Sequence, residues 1–238
     1  MSNTDENYLQ KLFINEAKPA LNRHSGGGDT EDAYNSGYTK GKAEGVEEGK
    51  KSEYDTFWDV FQKKGNPQYY NYAFAINRFT NTNYKPKYDI VLTTGSGGSH
   101  AYYYNESLTD TLVPIHANPT IPSCMMHMFS NATRMQTIRK LVVYEITEYT
   151  NTFHNTLSLK NILFEGTIGR TISFVYSPLT VDSMKNIISC LKDYSGTDKE
   201  LTYTLSFTSD CWATLETDST SPIGTTWKDY VGTLGWLT

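Results

Sequence analysis

The sequence predicts an α+β protein with three parts: an N-terminal helical oligomerisation stalk, a small Tyr-rich β module and a short C-terminal solenoid of repeats. Three observations predict this fold class. Glycines recur every fourth residue near the N-terminus, tyrosines crowd the following segment, and a short motif returns further on at nearly constant spacing. We place the stalk at 1–65, the module at 66–107, the solenoid at 108–207 and a cap at 208–238.

Composition and charge exclude several classes of function. Hydrophobic residues make up 38% of the 238 residues, charged residues 20%, and 18 residues are Tyr, which favours half-exposed strands. The net charge of -5 leaves no basic field for nucleic acid or an anionic membrane. The three cysteines lie far apart and do not predict a disulfide framework or a zinc site. We therefore predict no cofactor and no metal.

The N-terminus has neither a basic start nor an apolar run of signal-peptide length. No stretch approaches the roughly 18 apolar residues that a spanning helix needs. We expect no secretory signal and no membrane insertion, so that the protein is made in the cytoplasm of its host cell.

The stalk contains a Gly-rich linker at 25–28 and then two patterns of helical spacing. Glycines at every fourth position let two helix backbones approach closely, although each costs a helix about 1 kcal/mol relative to Ala. The stripe therefore predicts either tight self-association or an extended, frayed stalk. Aromatic residues at i, i+3, i+4 and i+7 then form a packing face. The predicted oligomerisation residues are Gly37, Gly41, Gly45, Gly49, Tyr54, Phe57, Trp58 and Phe61.

The Tyr-rich module contains one clear strand pattern, from Tyr88 to Thr93. The Gly-rich run at 94–99 follows it. Its spacing fits neither the dinucleotide nor the Walker phosphate-binding pattern, and no helix pattern follows. We interpret this run as a turn.

The repeat is legible in three stretches, 134–138, 158–162 and 183–187. A period of roughly 20–29 residues with this pattern is typical of leucine-rich-repeat solenoids. We expect the third copy to become a helical cap at 183–191 and the alternation over 201–207 to form a last strand. The residues predicted to form a buried spine are Phe129, Met135, Ile138, Phe153, Leu159 and Ile162.

The Met-Phe-Ser-Asn run at 128–131 resembles the signature of the BspA-type leucine-rich repeats of bacterial surface proteins. The layout over 36–207 also resembles virion-associated proteins of phages and prophages of gut Firmicutes, which pair a Gly-periodic stalk with the Glu-Tyr-Asp-x-Phe-Trp-Asp run seen at 53–59. The sequence departs from the pattern because only two full copies are legible and the loop after Asn131 lacks the usual Cys.

The resemblance implies a phage virion structural protein of the tail fibre or decoration type, which forms a homo-oligomer such as a trimer. Its N-terminal region would contact other virion proteins, and its repeats would adhere to a host surface glycan or protein. The alternatives are a bacterial surface adhesin of the BspA type and a virion-associated glycan depolymerase. No catalytic motif is present, so we predict no enzyme. The candidate binding residues are Tyr144, Tyr149, Tyr176 and Tyr203.

Overall fold

The structure, a computed structural model, describes residues 70–92 and 97–238. The predicted stalk, its linker and its eight oligomerisation residues lie outside these ranges. Residues 70–82 and 89–107 belong to the same compact unit as residues 108–238, whereas residues 83–88 fall outside that unit. The predicted Tyr-rich module is therefore not set apart from the repeats at residue 107.

In the described part of the chain, six short strands form two parallel sheets, and three helices occupy the C-terminal third. The four-stranded sheet has its strands in chain order, and the other two strands pair with each other. A 3-10 helix covers Pro122–Met125. The bounds are β1 Ile90–Val91, β2 Ile115–His116, β3 Thr137–Val143, β4 Asn161–Gly166, β5 Ile172–Phe174, β6 Leu205–Phe207, α1 Val181–Ser189, α2 Ser209–Asp218 and α3 Trp227–Thr233.

The register shows that each return of the chain adds one strand beside the previous one. Ile90 pairs with Ile115, and Ile115 pairs with Leu141. Ile138 pairs with Ile162, which confirms the predicted equivalence of 134–138 and 158–162. The six residues predicted for the spine are all buried, as expected. Membership of the leucine-rich-repeat class stays a prediction.

A column of buried rings runs through successive turns and forms the centre of the core. Neighbouring ring centroids in this column are 4.5 to 6.0 Å apart. Stacked and tilted aromatic pairs of this kind contribute about 0.5–1.5 kcal/mol each beyond the area that they bury. The interior ring column consists of Phe74, Tyr102, Phe129, Phe153, Phe174 and Phe207.

The three helices begin in the same way. Thr180, Thr208 and Thr226 are their N-caps, and each threonine side chain accepts a hydrogen bond from the backbone N–H three residues later. A threonine cap of this kind contributes about 1 kcal/mol. Each first turn also carries an Asp, which suits the positive end of the helix dipole.

Helix α1 takes the place beside β4 that a further strand would take. The Ser183 hydroxyl accepts from the Ile162 N–H at 3.0 Å. The Asn186 side-chain amide accepts from the Phe164 N–H at 2.6 Å and donates to the Phe164 carbonyl at 3.1 Å. The helix predicted for the degenerate third repeat is confirmed, and two of its side chains satisfy backbone groups at the edge of the sheet.

Two predicted strands are shorter than expected. Only Leu205–Phe207 of the predicted strand over 201–207 is a strand, because Leu201 adopts φ 57° and is 55% exposed in a turn. Within residues 88–92, the described part of the pattern from Tyr88 to Thr93, only Ile90–Val91 is a strand. The Gly-rich run ends in a turn over 97–100, as predicted, while residues 93–96 lie outside the description.

Candidate functional site

Four equivalent turns stack on one another beside the interior ring column. They cover residues 72–75, 100–103, 127–130 and 151–154, and each is closed by a hydrogen bond from the N–H of its last residue to the carbonyl of its first. The first residue of each turn has a φ between 51° and 60°. Because this left-handed conformation is costly for a side chain other than Asn or Gly, the stacked neighbours must hold it in place.

Hydrogen bonds between the turns fix their spacing. The His100 N–H donates to the Met126 carbonyl at 3.2 Å, and the His127 N–H donates to the Thr150 carbonyl at 3.0 Å. Side chains at equivalent positions therefore lie directly above one another.

The first positions of these turns form a column of rings outside the core. The rings of Tyr72 and His100 stack with centroids 4.7 Å apart and planes 17° apart. The rings of His100 and His127 stack at 4.8 Å and 9°. Tyr103 packs edge-on against both Tyr72 and His100. All four side chains are half-buried, so one edge or face of each ring remains open to solvent.

The surface continues onto two further rings in the next turns. His154 packs edge-on against Tyr176 with centroids 4.9 Å apart, and both side chains are exposed. A depression of about 60 Å³ lies beside them and is also lined by Asn151 and Ser173. A cavity of this volume has room for more than one water molecule and can therefore admit a small polar substituent of a larger ligand. We call Tyr72, His100, Tyr103, His127, His154 and Tyr176 together the ring stripe.

The ring stripe carries little charge at neutral pH. The ion pairs found among residues 70–92 and 97–238 join other residues: Asp89 with His116, Asp110 with Arg139, Glu165 with Lys140 and Glu145 with Lys192. Burial, followed by the charge of His127, lowers the pKa of His100 below its ordinary value. The stripe is therefore a surface of phenol and imidazole rings without a carboxylate, ammonium or guanidinium group.

The four predicted binding tyrosines lie in different surroundings. Tyr176 belongs to the ring stripe and is 43% exposed. Tyr144 is 38% exposed and directly follows β3, on the strand side. Tyr203 packs against Tyr194 and Trp236, and its hydroxyl accepts from Arg170 at 2.6 Å.

Tyr149 is the most buried of the four predicted binding tyrosines. It is 5% exposed and packs edge-on against Phe164. Burial raises the pKa of its phenol well above the ordinary value. Tyr149 also lines the depression beside His154 and Tyr176, and its role in binding stays a prediction.

The sequence did not predict that Tyr72, His100, Tyr103 and His127 belong to a candidate site. Only an alignment of the residues around each core ring could have predicted them. His127 directly precedes the Met-Phe-Ser-Asn motif, so residues two positions before each core ring could have been aligned. Such an alignment places His100 and His127 at the same position relative to Tyr102 and Phe129.

A second depression, of about 330 Å³, lies on the strand side between β3, β4 and α1. Arg139 at its rim is already paired with Asp110, and Ser183 and Asn186 are bonded to β4. Its lining includes the carboxylate of Asp182 and the exposed side chain of Leu163. Because so many of its polar groups are already bonded within the fold, we consider this depression a weaker candidate than the ring stripe.

Within residues 70–92 and 97–238, no three His, Cys, Asp or Glu side chains come together in a way that could hold a metal ion. The helices of the same ranges are too short or too polar to cross a bilayer. Comparison of the chain with protein families, curated proteins and solved structures finds no match in any of the three.

Proposed function

We propose that this protein is a non-enzymatic structural protein of a phage virion, of the fibre or decoration type, and that its stacked turns adhere to a glycan on the host surface. The observation that carries the proposal is the ring stripe, which extends over several neighbouring turns and presents rings rather than charges. An aromatic ring offers an apolar face to the C–H groups of a sugar, while phenol, imidazole and amide groups bond to its hydroxyls.

The length of the stripe favours an oligosaccharide over a single sugar. Six rings are distributed over several turns, and the depression beside His154 and Tyr176 is small, about 60 Å³. A ligand of this kind gains affinity by lying along several turns. Each site can bind its ligand weakly if several copies of the protein are displayed together. Linked sites increase the overall avidity without any new contact.

The remaining parts of the proposal rest on the sequence. Residues 1–65 anchor the protein to other virion proteins and join copies into a homo-oligomer such as a trimer, through the glycine and aromatic stripes. The displayed part then presents one ring stripe per copy. Immunogold labelling of purified particles with an antibody against residues 108–238 supports this assignment if it decorates the virion. Labelling of the cell surface alone supports the BspA-type adhesin instead.

The glycan proposal is tested with the full chain on an immobilised array of bacterial surface polysaccharides and oligosaccharides. We expect Tyr176→Ala to weaken binding about fivefold or more, because it removes one exposed stacking ring. Folding should be unaffected, since Tyr176 is 43% exposed.

Tyr144→Ala is the matched control, because the same residue type is removed at a similar exposure, 38%, away from the stripe. Equal losses in the two variants, or no binding to the array by the wild-type chain, would contradict the proposal. Release of new reducing ends from a bound polysaccharide would instead support the depolymerase alternative.

A further inference from the structure

Two histidines of the ring stripe are stacked face to face. The imidazole centroids of His100 and His127 are 4.8 Å apart and their planes differ by 9°. Tyr72 stacks on the opposite face of His100 at 4.7 Å. The His100 Nδ1 lies 2.7 Å from the Ser99 hydroxyl, which fixes the orientation of the ring.

The backbone prevents the two rings from separating easily. His100 and His127 adopt φ values of 60° and 55°, and each opens a closed turn. Each of these turns is also hydrogen-bonded to its neighbour. The backbone therefore keeps the two imidazoles close together unless their side chains rotate.

Neutral imidazoles stack favourably, but two imidazolium ions at this distance repel each other. The repulsion is only partly screened, because both rings are half-buried. Among residues 70–92 and 97–238, the rings that pack against the pair from the same and the preceding turn are the phenols of Tyr103 and Tyr72. The ordinary pKa of a phenol lies well above that of histidine. On the other side, the next turn begins with the uncharged Asn151 and ends with His154. These groups supply no negative charge to offset a second proton.

We propose that the stacked His100–His127 pair makes adhesion at the ring stripe dependent on pH, with full binding when both rings are neutral and weakened binding when acid charges both. This inference rests on the proposed glycan-binding function and concerns the regulation of the same surface. A second charge drives the two rings apart, removes the edge-on support of Tyr103 and disrupts the row of ring edges that the ligand contacts. The His100–His127 pair thus releases the ligand under acidic conditions.

The direction of the effect follows from the pKa of His100, which burial and the charge of His127 lower in the folded protein. The unfolded chain binds a proton near pH 6.5, whereas the folded chain resists it until a lower pH. The contribution of this pair to stability is therefore complete above pH 6.5 and is lost as the pH falls from 6.5 towards the folded pKa.

The titration is tested by NMR of the imidazole Cε1–H groups in the full chain, with His127→Asn as the test variant. Asn suits the position because the next turn places Asn151 there with a φ of 51°. We expect the titration midpoint of His100 to rise in His127→Asn and to stay unchanged in His116→Asn, a control on the strand side. An unchanged midpoint in His127→Asn would overturn the proposal.

Binding is then measured for an oligosaccharide that the array identifies. We expect the affinity of the wild-type chain to be about fivefold lower at about pH 5.0 than at about pH 7.5, and this difference to shrink in His127→Asn. A wild-type affinity that is equal at both pH values, or an undiminished difference in the variant, would overturn the proposed regulation while leaving glycan binding intact. If no glycan binds at any pH, the proposed function and this inference both fail, and the NMR midpoints still report whether the two rings are coupled.

Discussion

Two ring columns follow the same turns, only two positions apart along the chain. The interior ring column contains the fully buried rings of Tyr102 and Phe129, and the ring stripe contains His100 and His127 at half-buried positions. The stacking distances are similar, 4.9 Å for the interior pair and 4.8 Å for the outer pair. The difference lies in solvent access rather than in ring geometry.

The two columns differ in what their side chains can contribute to stability and to ligand binding. A buried ring contributes about 1.5–3 kcal/mol through the apolar area that it removes from water. A half-buried ring contributes less to folding but keeps a surface that a ligand can cover. Substitutions in the interior ring column should therefore lower the stability of the fold, whereas substitutions in the ring stripe should mainly lower ligand binding.

The largest expected effect is the loss of an interior ring. Phe129→Ala leaves a cavity between Tyr102 and Phe153, on which Phe129 stacks at 4.9 and 6.0 Å. We expect the free energy of unfolding to fall by about 3–5 kcal/mol, as measured by chemical denaturation. Phe129→Leu keeps most of the volume and should cost clearly less. Similar losses in both variants would mean that the column is not tightly packed.

An intermediate effect is expected at the left-handed positions that follow an interior ring by two residues, such as Asn131 and Asn155. Asn155 has a φ of 57°, and its side-chain amide donates to the Asn131 side-chain carbonyl at 2.9 Å. Asn155→Ala loses this bond and places a Cβ-bearing residue without local hydrogen bonding in a costly conformation. We expect a loss of about 1–2 kcal/mol in thermal or chemical denaturation.

Asn155→Gly provides the matched control for this position. Glycine also loses the amide bond, but it adopts a positive φ without steric cost. The Gly variant should therefore be more stable than the Ala variant. The opposite order would show that the backbone conformation contributes little at this turn.

The smallest effect on folding is expected in the ring stripe. His127→Asn should change the free energy of unfolding at neutral pH by no more than about 0.5 kcal/mol, because the ring is half-buried and Asn tolerates the φ of 55°. Chemical denaturation beside Phe129→Ala measures the contrast directly. A loss comparable to that of the interior variant would break the distinction between the two columns.

The sequence predicts the middle of the interior column and little of its ends. Phe129 and Phe153 occur at the same position of two matching motifs, and the structure stacks them at 6.0 Å. Phe74 and Phe207 belong to the same column, but each is separated from the next ring by a longer stretch of chain than the motif spacing. Because the turns vary in length towards both ends, a fixed period does not find them.

The candidate site is harder to predict than the core. Exposed tyrosines were expected to form it, and one of them, Tyr176, lies in the ring stripe. The alternation over 201–207 also suggested a strand where the chain turns at Leu201. Side-chain type and local spacing do not determine which residues of successive turns become neighbours, so neither the ring stripe nor the turn at Leu201 could be predicted from them.

The amide of Asn186 has a consequence for how copies of this protein can meet. At Phe164, both backbone groups that would recruit a strand from another molecule are already bonded to that side chain. An incoming strand would first have to displace a whole helical turn, with its Thr180 cap. Helix α1 therefore covers this edge of the four-stranded sheet and opposes edge-to-edge pairing with a strand of another molecule.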